Sequence, residues 1–154
     1  MWEPYKKGFK IHLQLERSLS DNSVEAYLSD LDKFIRYLEL TTNRKVPEAV
    51  ELKDLQQFVR WITELGMMPS SQSRIISGLR SFYRYCLIEG ICRQDPTLLL
   101  EAPRQKRTLP DVLSFGEIEK ISAQIDLSTP EGGRNKAILE TLYSCGLRVS
   151  ELVN

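Results

Sequence analysis

The sequence predicts an all-α protein built on a bundle of four or five helices. Apolar residues recur at spacings of three and four along most of the chain, and typical helix caps and terminators separate these runs. The alternation of apolar and polar residues that marks a half-buried strand does not occur in the first hundred residues. With 42% hydrophobic and 27% charged residues, the 154-residue chain has enough apolar side chains for a folded core.

The first two predicted helices start the bundle. Residues 5–16 form the first, and its apolar face is predicted to carry Phe9, Ile11, His12 and Leu15. Small polar residues then precede an acid over residues 20–25, a pattern that predicts the start of a second helix. This second helix is expected to end near Leu40.

Two more helices complete the bundle. The third is predicted over Leu52–Glu64, with Gly66 at a position where many helices end. The fourth begins at Pro69, which suits the first position of a helix, and ends near Glu89, before Gly90. Short loops join these helices, as in a compact bundle.

A second unit is predicted after a basic segment between two prolines. Residues 104–110 are interpreted as a linker that joins a domain at 1–103 to a further unit at 111–154. Ser114 and Glu117 form the capping-box pattern and predict a helix start. A loop over 126–133 and a helix over 134–144 should follow. We expect this unit to be too short to bury a core of its own.

The fourth predicted helix carries a face made of arginine and serine alone. Projection at about 100° per residue places seven side chains within roughly 120° of one another. The seven residues of this Arg/Ser face are Ser70, Ser73, Arg74, Ser77, Arg80, Ser81 and Arg84. Small hydroxyl groups permit close approach, and arginine donates to phosphate oxygens or guanine edges, so the face fits a DNA major groove. An ordinary solvated helix face is the alternative, although such faces normally include carboxylates.

Other candidate residues have structural interpretations. His12 lies in an apolar stripe and is expected to be packed or half-exposed, and Trp2 and Tyr5 are expected to anchor the terminus against the bundle. Three acids are interpreted as solvated surface: Asp30, Asp32 and Glu39. No P-loop, Ser/His/Asp set or paired-carboxylate motif occurs, so these patterns predict a helical domain with a basic face and no particular activity.

Composition narrows the class of protein further. The net charge is zero, but residues 1–107 carry 17 basic against 14 acidic side chains, and residues 108–154 carry four against seven. Three cysteines without C-x-x-C spacing and a single histidine argue against a disulfide framework or a metal site. No apolar run approaches the ~18 residues of a membrane span, so we expect a cytoplasmic protein that does not associate with membranes.

Five segments carry a resemblance to a known family. Residues 141–152 read Thr-Leu-Tyr-Ser-Cys-Gly-Leu-Arg-Val-Ser-Glu-Leu, a run that closely resembles the first catalytic-arginine motif of the tyrosine recombinases, or phage integrase family, particularly the Xer type. Residues 18–34 and 73–83 resemble the two core-binding signatures of that family. Residues 109–118 are similar to the entry into its catalytic domain, and 134–137 to the helix that follows. The motifs occur in order, so the resemblance covers the whole chain.

The resemblance implies an N-terminal SAM-like core-binding domain followed by the helical beginning of a truncated catalytic domain. The family cuts and rejoins DNA through a 3′-phosphotyrosyl intermediate without a metal or nucleotide cofactor. By this resemblance Arg148 is the first of two catalytic arginines and Glu151 is its supporting acid. The nucleophilic tyrosine and the His-x-x-Arg motif would lie beyond Asn154, and Tyr143 is not the nucleophile. We therefore expect this chain alone, about half of a recombinase, not to cleave DNA.

The resemblance also implies contacts and partners. Besides the Arg/Ser face, the residues expected to contact double-stranded DNA are Asn22, Ser23, Tyr27, Lys106 and Arg107. The implied partners are recombinase protomers, which form a tetramer on two DNA sites, with a second recombinase and a DNA translocase in some Xer systems. The implied process is DNA integration or chromosome dimer resolution. Two alternatives stay open: a short DNA-binding protein without catalysis, and a helical module whose arginines meet an acidic protein partner.

Overall fold

The computed structural model describes residues 1–41, 45–104 and 111–153, and every regular element within these ranges is helical. The helices are α1 (Glu3–Ile11), α2 (Asp21–Leu40), α3 (Leu52–Glu64), α4 (Pro69–Ile88), α5 (Phe115–Ala123), α6 (Pro130–Cys145) and α7 (Val149–Val153). A π-helical turn (His12–Glu16) continues α1, and a 3-10 turn (Pro47–Ala49) precedes α3. The predicted all-α fold is confirmed. Within the described ranges, no helix combines the length and apolar character needed to cross a membrane.

The chain divides into two compact units, Met1–Lys106 and Arg107–Asn154. The first contains α1 to α4, and the second contains α5 to α7. The division falls inside the predicted linker 104–110. That linker stays a prediction because residues 105–110 lie outside the described ranges.

The core of the first unit forms where α2 and α4 pack against each other and against α1 and α3. Aromatic rings fill much of it: the centroids of Phe9 and Phe82 are 5.3 Å apart, and those of Phe34 and Phe58 are 5.1 Å apart. The side of α4 opposite the Arg/Ser face is fully buried, as its apolar pattern predicts. Its buried residues include Ile75, Ile76, Leu79, Phe82, Tyr83 and Cys86.

Glycine ends two of the bundle helices as predicted. Gly66 follows α3 with a φ of +77°, and Gly90 follows α4 with a φ of +67°. This left-handed backbone conformation costs little for a residue without a Cβ. The two glycines therefore set the points at which α3 and α4 stop.

The predicted apolar face of the first helix is partly wrong. Phe9, His12 and Leu13 are buried, whereas Ile11 and Leu15 are exposed. The backbone N–H of Arg17 donates to the carbonyl of His12 at 3.1 Å, five residues back, so the last turn is π-helical and wider than an α-turn. The wider turn rotates Leu15, which follows His12, away from the position that an α-helical projection gives it. Ile11 precedes the turn and lies two residues after Phe9, about 200° around the helix, so it falls on the other side.

The second unit begins with the predicted capping box. The backbone N–H of Ser114 donates to Glu117 Oε2 at 2.8 Å, and the Ser114 hydroxyl contacts the same oxygen at 2.7 Å. The predicted start of the next helix at residue 134 is wrong, because α6 begins at Pro130. Thr129 caps it by accepting a hydrogen bond from the Gly132 N–H at 3.1 Å, and proline suits the first helical position.

Candidate nucleic-acid interface

The Arg/Ser face of α4 is accessible along its whole length. Ser70, Arg74, Ser77, Arg80 and Arg84 are exposed, and the other two members of the face are half-buried. The packed opposite side of α4 fixes this orientation. The structure therefore brings all seven predicted residues onto one surface of a rigid helix.

The three arginines of the face differ in what they already bind. The guanidinium of Arg74 pairs with Asp30, with 2.9 Å between Nη2 and Oδ1. Arg80 donates from Nη2 to the backbone carbonyl of Leu100 at 2.5 Å, so it also holds the end of the first unit. Arg84 has no hydrogen bond or ion pair with any residue in the described ranges. Within those ranges no residue occupies the five N–H donors of Arg84, which are therefore available to another molecule.

Between its arginines, the Arg/Ser face carries only the short side chains of serine. The Ser77 hydroxyl donates to the backbone carbonyl of Ser73 at 3.0 Å, one turn earlier. This bond turns the hydroxyl toward the helix and leaves the Ser77 oxygen as an acceptor. A surface that approaches α4 therefore meets short side chains between longer arginines.

The predicted contacts on α2 lie near its start. Ser23, Tyr27 and Asp30 share one side of this helix because they are spaced by four and three residues. The Tyr27 ring is half-buried and meets Phe9 edge to face, with 6.4 Å between centroids, while Asn22 is exposed. Asp30 connects this side of α2 to the Arg/Ser face through Arg74.

The interpretation of Asp30 as solvated surface is wrong. Its side chain is only 2% exposed, and Oδ1 lies 3.1 Å from Lys33 Nζ as well as 2.9 Å from Arg74. The carboxylate lies between α2 and α4, where Gly78 leaves room for it: a Cβ at Gly78 would stand 3.2 Å from the Asp30 Cβ. A glycine inside an otherwise helical pattern was the available signal of such a close approach. Asp32 is about half exposed, and Glu39 is exposed, as predicted.

The structural interpretations near the N-terminus are confirmed. His12 is buried with Nδ1 2.9 Å from Glu16 Oε2. Trp2 is buried and donates from Nε1 to the backbone carbonyl of Lys45 at 3.0 Å. Tyr5 donates its hydroxyl to Glu48 at 3.0 Å. These side chains serve packing and are not available for stacking on bases.

Two of the three cysteines are buried in the first unit, and the third, Cys145, is exposed in the second. Cys86 and Cys92 are buried, and burial raises the pKa of each thiol, so neither is held as a reactive thiolate. No group of three or more potential metal ligands occurs among the described residues.

The second unit brings its two predicted catalytic residues together. Arg148 Nη1 lies 3.0 Å from Glu151 Oε1, and the Arg148 backbone N–H donates to Glu151 Oε2 at 2.8 Å. The Arg148 side chain is 82% exposed, so the other guanidinium donors are accessible. Of the predicted contacts, Lys106 and Arg107 lie outside the described residues.

Comparison with known proteins identifies relatives of both units. The family described as phage integrase, N-terminal SAM-like domain, matches residues 7–90. A tyrosine recombinase XerD from Listeria monocytogenes serovar 1/2a is 39% identical over 148 residues, covering 96% of this chain and 50% of that protein. Proteins of the same name from Pseudomonas aeruginosa and Oceanobacillus iheyensis are 41% and 37% identical, covering 92% of this chain and 47% and 48% of theirs.

The chain thus spans about half the length of these relatives. The family match covers α2, α3 and α4 completely. It therefore includes α4, which carries the Arg/Ser face, and the start of α2, where the predicted DNA contacts Asn22, Ser23 and Tyr27 lie. On this match and the helical bundle described above, the chain belongs to the phage integrase family and contains its N-terminal SAM-like domain.

Proposed function

We propose that this chain is the DNA-binding N-terminal portion of a site-specific tyrosine recombinase. The observation that carries the proposal is the exposed, acid-free Arg/Ser face of α4, which lies within the matched SAM-like domain. The relatives are named tyrosine recombinases, and the segment after the domain resembles the beginning of their catalytic domain. The proposed boundaries are 1–103 for the core-binding domain, 104–110 for the linker and 111–154 for the catalytic fragment.

Electrostatics and shape both support DNA as the ligand of this face. A duplex presents one phosphate charge per ~1.7 Å of axis, so a row of arginines along one helix gains several favourable contacts. The serines let α4 approach a groove closely, and Arg84 brings unused donors that fit phosphate oxygens or a guanine edge. Asn22, Ser23 and Tyr27 on α2 are proposed to extend the contact, as are Lys106 and Arg107.

In the longer recombinase, we propose that Arg148 binds non-bridging oxygens of the scissile phosphate. The short contacts to Glu151 support this role because they hold the guanidinium while most of it stays accessible. Cleavage and rejoining of DNA through a phosphotyrosyl intermediate are proposed for this longer recombinase.

The proposed partners and location follow from the same assignment. Recombinase protomers on paired DNA sites are the proposed partners, and the cytoplasm is the proposed location. A second recombinase, a DNA translocase and a choice between chromosome dimer resolution and DNA integration stay predictions from the family resemblance.

The proposal is tested by replacing Arg84 with alanine. Affinity for a fluorescent duplex of mixed sequence, measured by anisotropy at several salt concentrations, should fall about three- to ten-fold. The slope of log affinity against log salt should become shallower by about one unit, since one phosphate contact is lost. Arg60→Ala is the matched control, because Arg60 is an exposed arginine on α3, outside the Arg/Ser face.

Equal effects of Arg84→Ala and Arg60→Ala would show that binding is diffuse and would reject this face. If the affinity of the unmodified chain for the duplex does not depend on salt, phosphate contacts do not carry the binding. This result would favour an acidic protein partner for the Arg/Ser face.

A further inference from the structure

We propose that Asp30 is a positioning residue: it holds the Arg74 guanidinium in the orientation in which this arginine contacts DNA. The inference rests on the proposed function of the Arg/Ser face. It concerns a buried acid beneath that face, which the family resemblance does not assign to DNA binding. Three features of the structure support it.

The first feature is burial. A carboxylate that is 98% removed from solvent needs compensating partners, because the free-energy cost of burying an unpaired charge is several kcal/mol. Asp30 has two cationic partners, Arg74 at 2.9 Å and Lys33 at 3.1 Å, and both bind Oδ1. The stability of the carboxylate therefore depends on keeping these side chains in place.

The second feature is that Arg74 binds the buried carboxylate while about half of its side chain stays exposed to solvent. Its Nη2 binds Asp30, yet the side chain is 53% exposed. A guanidinium has five N–H donors in a planar fork, so a contact at one nitrogen restricts the movement of the group and leaves donors on the other nitrogens free. Arg74 can thus bind Asp30 and a phosphate at the same time, with little rotational freedom to lose on binding.

The third feature is the packing around the carboxylate. A Cβ at Gly78 would lie 3.4 Å from Asp30 Oδ2, so the backbone of α4 closes that side of the carboxylate. Both helices carry hydrophobic residues into the core next to this point, including Leu31 and Leu79. The carboxylate has little space to change rotamer, which makes it a fixed anchor.

The sign of the effect on DNA affinity separates positioning from simple electrostatics. A negative charge beside a DNA-binding face should weaken binding by simple electrostatics, so its removal should raise affinity. Positioning predicts the opposite, because Arg74 would lose its anchor. The two accounts therefore predict opposite results for the same substitution.

The test is Asp30→Asn in the complete 154-residue chain, with the mixed-sequence duplex as the probe. We expect affinity to fall about three- to ten-fold and the salt slope to become shallower by about one unit, as for the loss of one phosphate contact. Asp54→Asn is the matched control: Asp54 is also 2% exposed and pairs with a lysine, Lys45, at 2.7 Å, but it lies on α3. Asp54→Asn should reduce stability and leave DNA affinity unchanged.

A double substitution separates positioning from a general structural role. In a chain that already carries Arg74→Gln, Asp30→Asn should cause no further fall in affinity, because the residue through which Asp30 acts is gone. A fall of the same size in both backgrounds would overturn the proposal, and so would unchanged or increased affinity of Asp30→Asn alone.

A conservative variant covers the case in which Asp30→Asn does not fold. Arg74→Lys keeps the charge at an exposed position but cannot bind Asp30 and phosphate with one planar fork, so affinity should fall nearly as far as with Arg74→Gln. Full affinity of Arg74→Lys would overturn the proposal. Arg84→Ala is measured in parallel. If it weakens binding while the Asp30 variants do not, only the positioning role fails; if neither affects binding, the face itself is wrong.

Discussion

Tyr83 carries a buried hydroxyl group at the centre of the bundle. Its side chain is fully buried on α4, and the hydroxyl oxygen finds no hydrogen-bond partner among the residues described. Burial raises the pKa of Tyr83 well above its usual value, which keeps the group protonated at all physiological pH values. The hydroxyl thus costs desolvation free energy without a compensating bond.

We therefore expect Tyr83→Phe to leave the free energy of unfolding unchanged or to raise it by up to about 1 kcal/mol. Urea denaturation followed by circular dichroism measures this difference. Tyr5→Phe is the control, because it removes a hydroxyl that is bonded to Glu48. A loss of more than about 1 kcal/mol in Tyr83→Phe would mean that the hydroxyl has a partner after all.

The environment of a side chain could be predicted from the sequence only where residues close to it in the sequence determine that environment. The arginines and serines of α4 lie on one helix, so projection alone placed them on one face. Asp30 was misassigned because its environment comes from Gly78 and Arg74, more than forty residues away in sequence. Helical periodicity contains no information on which helix packs over a given side chain.

At the scale of the helices, α2 and α4 approach each other closely at a glycine of α4. Gly78 is buried inside α4, where glycine costs roughly 1 kcal/mol relative to alanine in helix propensity. Its lack of a side chain lets Asp30 of α2 lie against the α4 backbone. The lost propensity is therefore offset by packing and by the Asp30–Arg74 ion pair.

Replacing Gly78 with valine should destabilise the first unit by about 1–3 kcal/mol, because two methyl groups would overlap the Asp30 side chain. Chemical denaturation, monitored by the near-ultraviolet signal of the core aromatic residues, tests this expectation. Gly116→Val is a suitable comparison, since no neighbouring atom lies within 4 Å of a Cβ at Gly116. Equal stability of the two variants would contradict the close approach.

Helix boundaries were predictable where a cap or terminator is local. The capping box at Ser114 and the terminating glycines Gly66 and Gly90 are found where the pattern placed them. The start of α6 was missed because Gly132 and Gly133 resemble a loop, although Thr129 and Pro130 form a helix start before them. The π-helical turn at His12–Glu16 has no reliable sequence signal, so the exposure of Leu15 could not be predicted.

On the scale of the molecule, the two units differ sharply in burial. The first buries an extended aromatic and aliphatic core, whereas Gly132 is the single buried residue in the described part of the second unit. Large apolar side chains of that unit are exposed, among them Val112, Leu113, Phe115, Leu127 and Val153. Few buried apolar contacts imply a low free energy of local opening.

Hydrogen exchange should therefore be slow for amides of residues 20–90 and fast for residues 111–153 in this chain. The expected difference is at least about a hundred-fold in protection, since the helices of the second unit open without unfolding the first. Exchange measured by mass spectrometry on the intact chain resolves the two ranges. Equal protection in both would show that the second unit is stabilised to the same extent as the bundle.

Gly78 also fixes the distance between α2 and α4. With the backbones this close at Asp30 and Gly78, neither helix can slide along the other without forcing a side chain into its neighbour. Two twenty-residue helices, each about 30 Å long, are thereby held at one separation. A duplex that touches both must match this separation with the width of its grooves. DNA sequences that adopt that width at low cost would then be preferred, even at base pairs that no side chain reaches.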